Sequence, residues 1–293
     1  MSSYHRSDNP NRSKKQLASL RSIHHITRES VKYLDLTLPT PEENLACDEA
    51  LLDSCENGHD DEILRFWEHA SPFVVLGYSN KADTEADLAA ARRANLPVLR
   101  RCTGGGAVVQ GPGCLNFSLI LRITEDSPFK SIRGTNVYIM NRHKDALSAL
   151  LRAEDRGQRA ARQTSSFIRH PLSLLPAVTV RGHSDLALGD LKFSGNAQRR
   201  RHKFLLFHGT FLLDVDIELI ERMLPMPSRQ PDYRQNRRHR EFLTNLRSLS
   251  ARQIKETLQT IWAAQEPLRE LPADGMAALA ANRYATEEWT FKF

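Results

Sequence analysis

The chain has 293 residues, of which 40% are hydrophobic and 26% charged, with a formal net charge of +6. That length fits about two domains or one large α/β unit with an appendage, and it buries a core without disulfide or metal staples. The composition excludes a collagen-like, wholly disordered or repeat-fibre chain, and no run approaches the ~18 apolar residues of a membrane span.

Residues 1–32 carry Arg6, Arg12, Lys14, Lys15, Arg21, Arg28 and Lys32 against Asp8 and Glu29, which accounts for most of the excess charge. The stretch has no apolar h-region, so it reads as a solvated, disordered basic leader rather than a secretory signal. Its arginines lack the amphipathic spacing of an organelle transit peptide. Cys47, Cys55, Cys102 and Cys114 form no C-x-x-C and have no zinc-spaced histidines near them. They read as free thiols of a reducing cytoplasm, with no metal site.

The folded part is expected to run from residue 33 to 247, followed by a small helical segment over 248–293. Thr40-Pro41-Glu42-Glu43 is a capping box with proline in the first turn, and Asn57-Gly58 ends the helix it starts. Short apolar runs predict strands at 63–67 and 73–76, then a helix over 86–95 and a strand over 97–100. A longer strand is expected over 116–123 and a helix over 136–152. Strands follow at 177–181, 185–188 and 191–194, the last two joined by a tight Gly189-Asp190 turn. Residues 204–215 read as a strand buried on both faces, 228–240 as an Arg/Pro/Gln-rich loop, and 251–264 and 274–283 as helices. Strands in the middle with flanking helices argue an α/β or α+β core.

Three segments carry chemistry. The first runs from Leu99 through Arg100-Arg101-Cys102-Thr103-Gly104-Gly105-Gly106-Ala107-Val108-Val109 to Cys114. Consecutive glycines let a backbone approach a ligand and aim N–H groups at phosphate oxygens, and the paired arginines supply forked cationic donors. It is neither a P-loop nor a dinucleotide fingerprint. The second is Asp185-Leu186-Ala187-Leu188-Gly189-Asp190-Leu191-Lys192-Phe193-Ser194-Gly195-Asn196-Ala197. Strand alternation there puts Lys192 and Ser194 on one face, and a cleft-facing lysine can meet a phosphate or an acyl group. The commoner fate of such a lysine is a solvated edge. In the third segment, His208 sits in an apolar run, either as a hydrogen-bonded core residue or as a cleft wall.

In this order the segments resemble the lipoate–protein ligase family, which shares its fold with biotin–protein ligases. The resemblance runs through Asn44-Leu45-Ala46, Arg100-Arg101 with the triple glycine, Asn116-Phe117-Ser118, Asp185-Leu186, the Lys192 to Ala197 stretch and His208-Gly209-Thr210, with a weaker echo from Arg283 to Trp289. It implies an α+β fold of mixed β-sheets flanked by helices. It also implies an ATP-dependent ligase: lipoate or octanoate with Mg-ATP gives an acyl-adenylate, and an acceptor lysine then takes the acyl group. Lys192 corresponds to the family's catalytic lysine. The binding residues implied are Arg100, Arg101, Gly104, Gly105, Gly106, Ala107, Val108, Val109, Asn116, Asp185, Ser194, Gly195, Asn196, Ala197 and His208. Residues 73–76 and 116–123 are expected to wall a narrow acyl tunnel. The implied cofactors are ATP and the Mg2+ it carries, with lipoate as substrate. The implied partners are lipoyl domains of 2-oxoacid dehydrogenases or the glycine-cleavage carrier protein, with an accessory subunit considered because only 46 residues follow Arg247.

The chain departs from the family where Gln110-Gly111 replaces a usual His-Asp pair and Cys114 a common asparagine. One rival reading is an ATP-independent octanoyl- or lipoyl-transferase. Relatives that use a thioester place a cysteine ahead of the lysine motif, and none lies between Cys114 and Lys192. The other rival is a basic nucleic-acid-binding regulator. It is disfavoured because aromatics are only 7% and no recognition motif is present. A milder role for the same charge is to steer acidic lipoyl domains.

Overall fold

The computed structural model describes residues 31–163 and 177–293, so most of the basic leader lies outside the described residues. An eight-stranded mixed sheet forms the centre, in the order β11-β1-β2-β6-β10-β9-β8-β7. Its strands are β1 (Lys32–Asp35), β2 (Ile63–Trp67), β6 (Cys114–Arg122), β7 (Val178–Arg181), β8 (Asp185–Leu188), β9 (Leu191–Arg200), β10 (Phe204–Leu212) and β11 (Glu266–Pro267). A second sheet joins β3 (Phe73–Leu76), β4 (Val98–Arg100) and β5 (Val108–Gln110) in the order β4-β3-β5. Among the described residues no helix is long and apolar enough to cross a membrane.

Side-chain alternation sorts the layers. On β6, Leu115, Phe117, Leu119 and Leu121 pack with Ile139, Met140 and Leu147 of α2 (Ile132–Gln163) and Ile254 and Leu258 of α3 (Ala251–Trp262). The opposite face of β6 presents Asn116, Ser118 and Ile120. It lies under α1 (Pro41–Glu56), whose Cys47, Leu51 and Cys55 pack with Ile120. The capping box on α1 forms as expected: Thr40 accepts from Glu43 N and Glu43 reaches back to Thr40 N. Helix α1 buries Asn44, Asp48 and Glu49 as well as apolar residues, which a core helix does only where partners wait.

Several elements differ from expectation. Strands 63–67 and 73–76 form as read but belong to different sheets. The helix expected over 136–152 runs from Ile132 to Gln163, and the one expected over 86–95 shrinks to Leu88–Arg93. Strand β9 continues to Arg200 because its polar half is paired residue by residue with β10. The loop over 228–240 contains a 3-10 turn at Asp232–Arg234 and runs into a short helix, His239–Phe242. The helix expected at 274–283 is Ala273–Leu279 followed by a π-helical turn, Ala280–Tyr284. Residues after 247 do not stand apart. Helix α3 packs on α2, β11 extends the main sheet beside β1, and α4 (Glu287–Thr290) sits against Arg100.

Candidate active site

A cavity of about 1640 Å³ opens between the two sheets, rimmed by the glycine loop on one side and β9–β10 on the other. It is larger than the usual 300–1,000 Å³ of a small-molecule pocket, so it has room for an acyl chain and a second moiety. Val75 of β3 and Phe117 of β6 line it, but it is a broad cleft rather than the narrow tunnel expected.

The glycine loop is shaped by Arg101. Its Nη2 donates to the carbonyls of Gly104 (2.6 Å) and Gly106 (2.9 Å), and its Nε donates to Thr103 Oγ1 (3.0 Å). Burial pushes the Arg101 pKa down to about 10, so the guanidinium stays charged at neutral pH. The Gly105 carbonyl faces Gly77, where a Cβ would come within 2.0 Å of it. The loop's carbonyls are thus turned back into the protein. Among the described residues, the N–H groups of Gly104, Gly105 and Gly106 have no protein acceptor. A Cβ at Gly104 or Gly106 would meet nothing within 4 Å. Unpaired donors on a bare glycine backbone that lines the cavity are suited to an anion or a developing oxyanion.

Thr103 ties this loop to a buried polar chain. Its Oγ1 is 2.7 Å from His208 Nε2, and His208 Nδ1 is 3.0 Å from Asp48 Oδ2. Asp48 also accepts from Ser118 Oγ (2.7 Å) and from Arg65 Nη1 (2.6 Å). Burial alone raises the Asp48 pKa, but Arg65, His208 and Ser118 outweigh it and hold the carboxyl below the usual range. Both ring nitrogens of His208 are engaged, so the imidazole is a fastening between sheet and loop rather than a free base. It still contributes a wall of the cavity.

Opposite the loop stands Lys192. Its Nζ is 2.9 Å from Asp185 Oδ1, and Tyr233 donates its hydroxyl to Asp185 Oδ2 at 2.8 Å. Strand alternation misplaces Ser194, because a bulge intervenes. Leu186 pairs with Ser194 while Ala187 pairs with Lys192, leaving Phe193 as the extra residue. Lys192 therefore shares the cavity face with Gly195, and Ser194 is buried opposite Phe211. A Cβ on Gly105 would lie 3.9 Å from Ala197 Cβ, and Ala197 is two residues along β9 from Gly195. Loop and lysine thus meet the same stretch of β9, the loop at Ala197 and the ammonium at Gly195.

Of the residues singled out in the sequence, Arg101, Gly104, Gly105, Gly106, Ala107 and Val108 line the cavity from the loop side. Asn116, Asp185 and His208 line it, as do Lys192, Gly195, Asn196 and Ala197. Arg100, Val109 and Ser194 do not. Arg100 is fully buried and donates to the carbonyls of Gly77, Tyr78, Asn80, Trp289 and Thr290, so it clamps α4 onto the 77–80 turn. Val109 points the other way along β5, into a core with Val74 and Val215. The sequence reading missed Asp48, Arg65 and Tyr233. The one signal for the first two was a charged residue inside each apolar run, at α1 and β2.

All four cysteines are buried and unpaired. Burial pushes Cys47 up to about 11 and Cys55, Cys102 and Cys114 up to about 12, so none is a ready thiolate.

The family described as the lipoyl protein ligase A/B catalytic domain matches residues 40–262. The octanoyltransferase LipM of Geobacillus kaustophilus is 27% identical over 290 residues, covering 91% of this chain and 100% of that protein. Lipoate-protein ligase A subunit 1 of Thermoplasma acidophilum is 28% identical over 257 residues, covering 84% and 90%. Among solved structures, a lipoate-protein ligase A bound with ATP superposes with a TM-score of 0.66 at 24% identity, covering 90% of this chain and 99% of that one. The bi-partite lipoate protein ligase of T. acidophilum, solved in work on its E2 lipoyl domain, gives 0.66 at 23%, covering 90% and 97%. The solved structures bear out the mixed α+β fold of sheets flanked by helices. The chain belongs to the lipoyl protein ligase A/B catalytic domain family.

Proposed function

We propose that the protein transfers an octanoyl- or lipoyl-type acyl group to the ε-amine of a lysine on an acceptor lipoyl domain. The observation that carries this is the opposition of Lys192 to the unpaired N–H groups of residues 104–106 across one cavity. The neutral acceptor amine attacks the acyl carbonyl, the C–N bond forms as the bond from the carbonyl carbon to the leaving group breaks, and the amine's proton leaves with that group. Negative charge gathers on the carbonyl oxygen in the transition state. A fixed ammonium and pre-aimed N–H groups stabilise it without reorganising. Arg101 serves this arrangement by shaping the loop and His208 by anchoring it.

The relatives named octanoyltransferase support an activated acyl thioester as donor. Four buried thiols with raised pKa values support direct transfer, without a covalent enzyme thioester. A second reading is favoured by the size of the cavity and the anion-suited loop: adenylation of the free acid by ATP, as the relative named lipoate-protein ligase A suggests. In that reading Mg2+ would enter on the triphosphate. The lipoyl domain as acceptor is supported by the T. acidophilum ligase work that includes an E2 lipoyl domain.

The test offers purified protein and a lipoyl domain either octanoyl-carrier-protein or octanoate with Mg-ATP. Octanoylation from the thioester alone supports the first donor, and dependence on ATP with pyrophosphate release supports the second. No octanoylation from either source would overturn the function.

A further inference from the structure

Tyr233 lies in the Arg-rich segment over 228–240, and its side chain reaches the cavity. It sits in the 3-10 turn Asp232–Arg234, which is followed by Gln235 and Asn236 in the left-handed region. Arg237 locks that turn by donating to the carbonyls of Tyr233 (2.9 Å) and Asp190 (3.0 Å). The Tyr233 ring packs 5.1 Å from Phe242, and its edge comes close to Gly182, where a Cβ would lie 3.6 Å from Cε1. The hydroxyl is therefore delivered by a braced ring rather than by a swinging side chain.

That hydroxyl ends on Asp185, whose other oxygen holds Lys192. Burial, then the neighbouring Asp185 charge, pushes the phenol's pKa well above its ordinary value, so it remains a donor. Asp185 has one partner on each oxygen, and its side chain is 14% exposed. A carboxylate gripped at both oxygens cannot rotate about its Cβ–Cγ bond without losing one partner. An ammonium on four rotatable bonds inherits that fixity through a single contact. The same hydrogen bond draws charge from the carboxylate, which leaves more of the ammonium's field for the ligand.

The geometry points to Tyr233 as a positioning residue for acyl transfer, acting through Asp185 on Lys192. This rests on Lys192 stabilising the transition state as proposed above. Tyr233 itself need not touch the reacting carbonyl. Its work is to hold the ammonium on the cavity side of β9, above the bare backbone of Gly195.

The test compares Tyr233→Phe, Asp185→Asn and the double variant with the full-length protein, using octanoyl transfer to a lipoyl domain from whichever donor the wild type accepts. Tyr233→Phe keeps the ring and removes only the hydroxyl. It is expected to lower kcat about ten-fold with KM changed less than two-fold. In the Asp185→Asn background the same change is expected to cost nothing further, because the route to Lys192 is already cut. Full, additive loss in the double variant would overturn the proposal, as would unchanged kcat in the single one. Asp185→Glu supplies a second arm that keeps the charge but moves both oxygens. It is expected to lose kcat rather than KM, and wild-type kcat there would also overturn the proposal. Lys192→Ala separates the two levels. If it retains full transfer, the function assigned to Lys192 fails. If it is inactive while Tyr233→Phe is additive, only the role of Tyr233 fails.

Discussion

A Cβ built on Gly195 would lie 2.9 Å from Lys192 Nζ and 3.0 Å from its Cε, so the ammonium rests across backbone that only glycine leaves bare. The atoms it would strike are the far end of a flexible side chain, and Gly195 is not among the glycines with positive φ. Gly195→Ala is therefore expected to fold with a nearly unchanged thermal midpoint. Its acyl-transfer rate should fall ten-fold or more, because Lys192 is the group that must move. A rate within two-fold of wild type would mean that the ammonium's place over Gly195 is irrelevant.

The two neighbouring arginines should separate stability from activity. Arg100 donates to five carbonyls that join α4 to the 77–80 turn, and it does not line the cavity. Lysine cannot reproduce that fork. Arg100→Lys is expected to lower stability in urea by about 3 kcal/mol, since bonds to a charged donor are worth roughly 1.5–3 kcal/mol each and some are regained. Arg101→Lys is expected to lower transfer about ten-fold with a smaller stability loss, because it releases the Gly104 and Gly106 carbonyls. The opposite pattern would reverse their assignments.

Much of the fold was legible in local signals. The Thr40 capping box, the β-branched and aromatic strands and the glycine loop are each written within a few consecutive residues. What was not legible depends on partners far away in the chain. Nothing local reveals that Phe193 bulges out of register with β8 and so flips Lys192 relative to Ser194. The polar half of β9 has weak strand propensity and is held by β10. Arg100 and Arg101 look alike in sequence, yet strand alternation sends one into the core and the other to the loop. Asp48, Arg65, Ser118 and His208 are separated by up to 160 positions and meet only once β2, β6 and β10 pair.

Stability should fall with acid through a histidine of the core, behind the cavity-lining Phe117. His143 is fully buried and accepts from Trp262 Nε1 at 2.9 Å, and burial holds its pKa down to about 3. In the unfolded chain it titrates near 6.5, so below that pH the unfolded state binds the extra proton. The stabilisation is complete above pH ~6.5 and is lost as pH falls toward 3. Between pH 6.5 and 4.5 the loss is roughly 2–3 kcal/mol, at 1.36 kcal/mol per unit. Chemical denaturation across that window should show a flatter slope for His143→Gln, which keeps an acceptor for the indole. Equal slopes would remove His143 as the cause.

Thiol chemistry should leave the enzyme untouched. With all four cysteines buried and their thiols pushed up to about 11 or 12, iodoacetamide at pH 7.5 is expected neither to label the native protein nor to slow transfer. Intact-mass spectrometry during turnover should reveal no octanoyl adduct on cysteine. A stoichiometric thioester would contradict direct transfer.

The most direct measurement is the single-turnover rate of octanoyl transfer to a lipoyl domain by Lys192→Ala, with folding checked by circular dichroism. Removing one such charge-stabilising group costs about 3 kcal/mol, so a 10²–10³-fold slower rate in a folded protein is expected. A folded Lys192→Ala protein that transfers at the wild-type rate would contradict the proposed site.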